Sequence, residues 1–368
     1  MAKRKTPDDS QKSLAELRRE VDAIDRQLVD LMNERAQRSI EIARCKANEQ
    51  LNAYDPARER KILAQLAEAN AGPLSSSAMQ AVFRELISSC RLLAAPQRIA
   101  YLGPEYSYSH IAAVHRFGQA AELIPVGTIA AVFEEVTSGQ AQFGLVPMEN
   151  STDGRIADTL TMFAKTPMRI CGEVQLRIHH NLLGRGVRND VREVYSKPQA
   201  LSQCRDWLAK HLPQAALRET TSTTAAAEIA AEKPGAAAVA SRQAAVNYGL
   251  DILAPNIEDN LNNVTRFAVI GQQIYPRTKS DKTAVMFQVE HKPGALADAM
   301  NLFKRNRLNL TWIESFPIPG VPSEYLFFVE LEGHESEPRV KKCLSLLAKK
   351  AVRLETLGSY EKREIVDS

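Results

Sequence analysis

An apolar seam spaced alternately three and four residues apart opens this chain and leaves it few options. Leu14, Leu17, Val21, Ile24, Leu28 and Leu31 continue in register through Arg35, Arg38, Ile42 and Cys45, which predicts one helix about 50 Å long at 1.5 Å per residue. A second helix is predicted from Asp55-Pro56, with Asp as N-cap and Pro at the first helical position. A third follows Ser75-Ser76-Ser77, with the stripe Met79, Val82, Phe83, Leu86, Ile87 and Cys90. One long and two shorter amphipathic helices do not close a core alone, so the pattern calls for an intertwined dimer at least. Arg35 and Arg38 stand in seam positions, and a cation where leucine would pack must meet an anion. Lys46 lies eleven residues after Arg35 and points the same way, whereas Arg18 lies on another face and reaches the same anion only from a second copy.

Arg18, Arg35, Lys46, Asp55, Arg58 and Glu59 resemble, in type and spacing, the active-site set of the all-helical, intertwined-dimer chorismate mutases. Chorismate carries two carboxylates, and its pericyclic rearrangement to prephenate needs no nucleophile, only a held compact conformer and stabilised charge. The resemblance implies that Arg35, with Arg18 of the partner subunit, clamps the carboxylates. It implies that Lys46 donates to the ether oxygen and Glu59 holds the ring hydroxyl, with Asp55 and Arg58 also binding substrate. Ordinary surface ion pairs explain Asp55 and Arg58 easily but explain Arg35 and Arg38 poorly. On the third helix the family has a small hydroxyl residue and, four positions later, Gln or Glu; this chain has Cys90 and Ala94. Losing one such donor costs about a hundredfold to a thousandfold in rate, so a weakened mutase is expected.

After Ala94-Ala95-Pro96 the pattern changes to apolar strands alternating with helices, with strands at 99–102, 143–146, 174–178, 191–195, 236–240 and 264–270. That argues for an α/β region with largely parallel strands. Four strands end in small polar residues where a helix begins: Tyr106 to Ser109, Pro147 to Gly154, Ser196 to Gln199 and Thr221 to Thr224. Ligands in such sheets bind beyond the strand C-termini. In the stretch Pro147-Met148-Glu149-Asn150-Ser151-Thr152-Asp153-Gly154, backbone amides of the next helix and the Asn150, Ser151 and Thr152 side chains can converge on an anion. Helix capping explains that stretch about equally well. Glu149 and Asp153 fit loop orientation or capping better than contact with an anion. Gly103-Pro104-Glu105 lacks the spacing of a nucleotide fingerprint, and no cofactor is expected.

Gly103-Pro104 with Ser107-Tyr108-Ser109, the Pro147 to Gly154 stretch, Tyr195-Ser196 with Pro198-Gln199, Ser222-Thr223, and Asn263-Val264-Thr265-Arg266-Phe267 resemble the prephenate dehydratase family in its order. The resemblance implies two α/β lobes like those of periplasmic binding proteins, with substrate between them. It also implies loss of CO₂ and the ring hydroxyl from prephenate to give phenylpyruvate. Thr265 carries over as the catalytic hydroxyl, Arg266 as a candidate for carboxylate binding or anchoring, and Asn150, Ser151, Thr152, Ser222, Thr223 and Phe267 as substrate-binding residues. No acid is assigned among His110, His115, His179 and His180. Tyr106 stands where the family usually has Gly, and Lys197 where His is common.

Gln272 to Lys282 reads as a linker, followed by the order strand, helix, strand, strand, helix, strand to Tyr360, a ferredoxin-like α+β pattern. Gly294-Ala295-Leu296-Ala297 and Glu314-Ser315-Phe316-Pro317 resemble the two phenylalanine-binding motifs of dehydratase ACT domains, with Phe316 where Arg is usual. That implies phenylalanine as effector, with Gly294, Ala295, Leu296, Glu314 and Ser315 as regulatory residues.

The expected organisation is a disordered tail (1–10), an all-α chorismate mutase-like domain (11–95), a two-lobed dehydratase domain (97–272) and an ACT domain (283–361). With 368 residues, 44% hydrophobic and 25% charged, the chain can bury real cores, and a net charge of +3 gives no field that argues for nucleic acid. No apolar run reaches signal-peptide or membrane-span length, so a cytosolic location is expected. Five scattered cysteines lack metal-ligand spacing. A different class of protein shares some of these features: a non-catalytic sensor built from a binding-protein-like cleft and an ACT domain.

Overall fold

The computed structural model describes residues 12–49, 51–52, 54–152, 154–318 and 324–368. The N-terminal tail expected to be disordered, and Asp153, lie outside the described residues. The chain divides into two units, Met1–Pro96 and Gln97–Ser368.

The first unit holds α1 (Leu14–Asn48), α2 (Pro56–Ala69) and α3 (Ser76–Ala94). The α1 helix starts at a capping box, in which the Ser13 hydroxyl accepts the Glu16 amide and Glu16 accepts the Ser13 amide at 2.8 Å. None of its 35 residues is buried. Leu14, Leu17, Val21, Ile24, Leu28, Leu31 and Ile42 are each at least 45% exposed, so the seam has no cover among the described residues. The α3 helix packs on both others and buries Ile87 and Cys90.

The second unit begins with a large lobe: β1 (Arg98–Leu102), α4 (Tyr108–Phe117), β2 (Glu122–Val126), α5 (Ile129–Thr137), β3 (Phe143–Asn150), β4 (Gly154–Arg155), α6 (Ala157–Lys165) and β5 (Arg169–Arg177). The chain then crosses into a small lobe of β6 (Asn181–Gly184), β7 (Glu193–Ser196), α7 (Pro198–Gln203), α8 (Arg205–His211), β8 (Ala216–Glu219), α9 (Thr223–Glu232), β9 (Ala236–Ala240), α10 (Arg242–Tyr248) and β10 (Asp251–Ala254). It returns as β11 (Val264–Gly271). The two crossings are tied together: the Ile178 amide donates to the Asn263 carbonyl at 2.8 Å and the Ile257 amide to the His180 carbonyl at 2.7 Å. Each lobe has parallel pairs (β1 with β2 and β3; β7 with β8 and β9), but the returning strands run antiparallel. The expectation of a largely parallel sheet is corrected by these crossings, since a chain that enters and leaves a lobe on adjacent strands must reverse direction.

The remainder comprises β12 (Asp281–Val289), α11 (Ala295–Arg305), β13 (Leu310–Pro317), β14 (Tyr325–Glu332), α12 (Pro338–Ala348), β15 (Ala351–Glu361) and β16 (Ile365–Asp367). Its four-stranded antiparallel sheet has the order β13-β14-β12-β15, the ferredoxin-like arrangement. Alternation along β12 divides the burial between two cores. Val285 and Phe287 pack under α11 and α12, while Ala284 and Met286 join Phe316, Phe328 and Tyr360 against the large lobe. Phe316, 7% exposed, is thus a core residue of that contact. The last strand, β16, leaves this sheet and pairs in parallel with β5 of the large lobe.

Candidate functional site

Between the lobes lies a cleft of about 340 Å³ that gathers Asn150, Ser222, Thr223, Thr265 and Phe267 from the sequence-derived set. It is lined from both lobes, and several strand ends and helix starts meet there, among them Ser107, Gly127, Lys197 and Ser222. Asn150 and Thr265 are direct cross-strand partners on β3 and β11. Both are buried, at 6% and 8% exposure.

One backbone amide fixes the sense of the hydrogen bonds here. The Thr152 N–H donates to Asn150 Oδ1 at 2.9 Å, so Asn150 Nδ2 must be the donor to Thr265 Oγ1 at 2.8 Å and to Asn263 Oδ1 at 3.0 Å. Asn263 Nδ2 then donates to Gln203 Oε1 at 2.9 Å, and the same oxygen faces His180 Nε2 at 2.9 Å, which assigns the proton to that nitrogen. His180 Nδ1 lies 3.0 Å from the Tyr108 hydroxyl, itself 2.7 Å from the His179 carbonyl. Thr265 Oγ1 therefore receives a hydrogen bond from behind and keeps its own proton for the cleft. Burial pushes the Tyr108 phenol well above its ordinary pKa, so it stays neutral.

Other members of the set lie elsewhere. The polar row after β3 does not gather at the next helix, because β3 continues through Pro147 to Asn150 and turns into β4. The α6 helix begins with Ile156 as N-cap and no side-chain cap. Pro147 is tolerated inside the sheet because the register against β11 shifts beside it. Ser151 stitches to the returning crossing, donating to the Asn262 carbonyl at 3.0 Å and accepting the Val264 amide at 2.9 Å. Thr152 borders a smaller cavity of about 130 Å³ behind Gln203 and Asn263.

Arg266 also leaves the cleft. Strand alternation turns it to the opposite face from Thr265, where it pairs with Glu330, reaches Glu149 at 3.3 Å and stacks 4.9 Å from the Trp312 ring. Of the two roles considered for it, anchoring is the one this geometry provides. Burial alone would lower its pKa, but the Glu330 carboxylate outweighs that and raises it.

In the first unit Arg35 is half-buried and its Nη1 is buried with no hydrogen-bond partner among the described residues. Arg38 is instead exposed and paired with Glu41 at 2.9 Å. Arg18 is exposed, and seventeen residues of helix, about 25 Å, separate it from Arg35. Lys46 is half-buried and Arg58 exposed. Asp55 caps α2, accepting the Arg58 amide at 3.0 Å. Glu59 pairs at 3.0 Å with Arg91, which lies 4.7 Å over the Tyr54 ring. Arg91 was missed in the sequence, although it stands one position past Cys90 on the last turns of α3.

A third cavity, about 110 Å³, is lined by Ala295, Leu296, Tyr325 and Phe327 among others. Gly294 begins α11 at φ 84°, a backbone state that favours glycine. Ser315 pairs across the ladder with Phe327, on the same face as this cavity. Glu314 turns to the other face and binds Arg155 at 3.1 Å, so the expected regulatory set is not assembled in one pocket of one chain.

The family profile for chorismate mutase type II matches residues 17–95 and that for prephenate dehydratase matches 99–274. The bifunctional chorismate mutase/prephenate dehydratase of Aquifex aeolicus (strain VF5) is 42% identical over 354 residues, covering 95% of this chain and 98% of that protein. The chain belongs to the bifunctional chorismate mutase/prephenate dehydratase family. The Escherichia coli K12 member is 30% identical, covering 97% of this chain and 98% of its own. The prephenate dehydratase structure from Arthrobacter aurescens, a complex with L-Phe, is 31% identical with TM-score 0.67, covering 72% of this chain and 90% of that one. The bifunctional enzyme thus carries out both steps, chorismate to prephenate and prephenate to phenylpyruvate, and the non-catalytic sensor is not favoured. His180, weighed in the sequence but given no role, Asn263, quoted there as part of the Thr265 motif, and Gln203, missed there, complete the polar network of the dehydratase cleft.

Proposed function

We propose that Thr265 is the catalytic hydroxyl of the dehydratase, donating its hydrogen bond to the departing ring hydroxyl of prephenate. The observation that carries this is the Asn150 amide on Thr265 Oγ1, which occupies the oxygen from behind and leaves the proton for substrate. In the reaction the bond to the ring carboxylate breaks, its electrons aromatise the ring, and the para C–O bond breaks to release hydroxide, which takes up a proton as water. A threonine hydroxyl is too weak an acid to supply that proton outright. It positions the leaving group, and the proton comes from the acid of bulk solvent, relayed to the departing hydroxide through water entering the cleft. Ser222, Thr223 and Phe267 shape the remaining wall.

The same reading extends to the other parts. Arg35, Lys46 and Glu59, with Arg18 of the partner subunit, form the mutase site. The uncovered face of α1 supports a homodimer that supplies the missing arginine. Ala94 leaves the mutase slower than its relatives. The ferredoxin-like unit acts as an ACT domain that binds phenylalanine beside Ala295 and Leu296, in a site completed by a second copy. The effector acts to the extent that it binds the open and closed cleft differently. For a biosynthetic enzyme of this kind we favour the cytosol.

The test is Thr265→Ala in the full chain, with chorismate loss and phenylpyruvate gain followed separately. Phenylpyruvate formation is expected to fall about a hundredfold or more, while chorismate loss is unchanged. Near-normal phenylpyruvate formation refutes the assignment. Unaltered activity of the unmodified chain in millimolar phenylalanine refutes the effector site.

A further inference from the structure

Prephenate is a dianion, yet the described residues that line the dehydratase cleft include no carboxylate and one side chain with a formal positive charge, Lys197. Arg266, the other cation considered from the sequence, is spent on the back face of the sheet. Lys197 precedes Pro198 at the start of α7, in the small lobe, across the cleft from Thr265. Its carbonyl accepts the Leu201 amide at 3.1 Å, which fixes the backbone. Its side chain is exposed and makes no ion pair among the described residues. No described residue therefore uses this charge, and its position on the cleft wall gives it to the ligand.

The reaction decides which of two carboxylates such a cation can hold. The quaternary ring carbon of prephenate bears both the ring carboxylate and the pyruvyl arm, and the hydroxyl sits on the carbon para to it. With the hydroxyl on Thr265 in the large lobe, the end bearing both carboxylates faces the small lobe. A cation on the ring carboxylate would stabilise a charge that disappears as CO₂ forms, binding the ground state better than the transition state and slowing the step. A cation on the pyruvyl carboxylate meets the same charge before, during and after the reaction, so it strengthens binding without altering the barrier.

We propose that Lys197 grips the pyruvyl carboxylate of prephenate and is a specificity-determining residue of the dehydratase, leaving the ring carboxylate to the uncharged remainder of the lining. This rests on the dehydratase activity of the family and on Thr265 marking the hydroxyl end. Phenylpyruvate separates the two carboxylates, because the product keeps the pyruvyl carboxylate and has lost the ring one.

The experiment uses the full chain with Lys197→Met and Lys197→Arg, measuring kcat and KM for prephenate and the inhibition constant of phenylpyruvate as a competitive product. Lys197→Met is expected to raise KM and the phenylpyruvate inhibition constant together, about tenfold to a hundredfold, the range of one charge-assisted hydrogen bond. The change in kcat should stay within about twofold, and Lys197→Arg should restore most of the affinity. Unchanged mutase turnover in the same preparation checks the integrity of the chain. An unchanged phenylpyruvate constant with altered kcat would put the lysine at the ring carboxylate and overturn the proposal. Unchanged values for both ligands would overturn it as well. Should Thr265→Ala retain full dehydratase activity while Lys197→Met raises both constants, the Thr265 assignment and the orientation argued from it fail, and the raised phenylpyruvate constant by itself keeps the lysine on the pyruvyl carboxylate.

Discussion

Replacing Arg266 by methionine separates an anchoring arginine from a substrate ligand. In the buried cluster between the large lobe and the ferredoxin-like sheet, Arg266 and Lys282 face Glu330 and Glu173, whose side chains are 1% and 2% exposed. Lys282 Nζ lies 2.9 Å from Glu173 and 3.7 Å from Glu330. The Tyr360 hydroxyl donates to Glu330 as well. Methionine keeps much of the volume but leaves two buried carboxylates against one ammonium. Removing one partner of such a pair costs about 3–5 kcal/mol. Glu149, with a side chain 35% exposed, adds little because water screens it. In urea the loss should lower the unfolding midpoint by about 1 M or more. Trp312, stacked on the guanidinium, is a convenient fluorescence probe. At low urea the folded variant should bind prephenate with KM within about twofold of the parent. Arg266→Met with Glu330→Leu should recover a large part of the lost stability, because the orphaned charge goes with its partner. An unchanged midpoint with KM raised tenfold would refute the reasoning, since that is the signature of a carboxylate ligand.

Asn150→Asp would set an acceptor against Asn263 Oδ1 and turn the Thr265 proton back from the cleft, so kcat should fall about a hundredfold with little change in KM, read by steady-state phenylpyruvate formation. Ala94→Gln should raise mutase kcat about a hundredfold if the missing donor is what limits it; chorismate loss measured on both chains checks this. Glu330 stays below its ordinary pKa of 4.5 although burial pushes the other way, because Arg266 and Lys282 favour its charge. A depressed carboxyl gives stability that is complete above that value and drains away as pH falls below it. The urea midpoint should thus hold steady from pH 7 to 5 and drop below about 4.5, and Glu330→Gln should flatten the acid limb.

The helical segment was legible because its signals are local: the seam of α1, the Asp55-Pro56 cap and the stripe of α3 are each read within a few turns. Thr265 and Asn150 were both named from their motifs, and the pairing of β11 with β3 makes them cross-strand neighbours. The extent of β3 was not, since Pro147 reads as a strand terminator and the register shift that accommodates it belongs to a strand more than a hundred residues away. The side taken by Arg266 was present in the period of two that separates it from Thr265 and Phe267. Gln203 gave no such signal, and His180 and Asn263, though noted, gave no role, because a lone polar residue in a helix or crossing becomes part of a network only when distant segments meet. Glu173, Lys282 and Glu330 look like solvent-facing strand residues, and become a buried cluster because the sheet bearing Lys282 and Glu330 is covered on both faces.

The pairing of β16 with β5 carries a consequence for how the chain is made. Arg363, at the start of this last strand's approach, donates its amide to Glu173 from 190 residues further along the chain, and Ile365 to Asp367 then lie along Gln175 to Arg177. At about 5–20 residues per second, a ribosome needs on the order of 10–40 s between the two. Once β11 has been made at Gly271, roughly the second half of that interval remains, in which the large-lobe sheet lacks only β16 along β5, and the open amides and carbonyls of β5 can recruit another chain. Synthesis on the ribosome therefore has a window in which mispairing competes with maturation, and it closes only when the ferredoxin-like sheet has already formed and delivers β16 to its place.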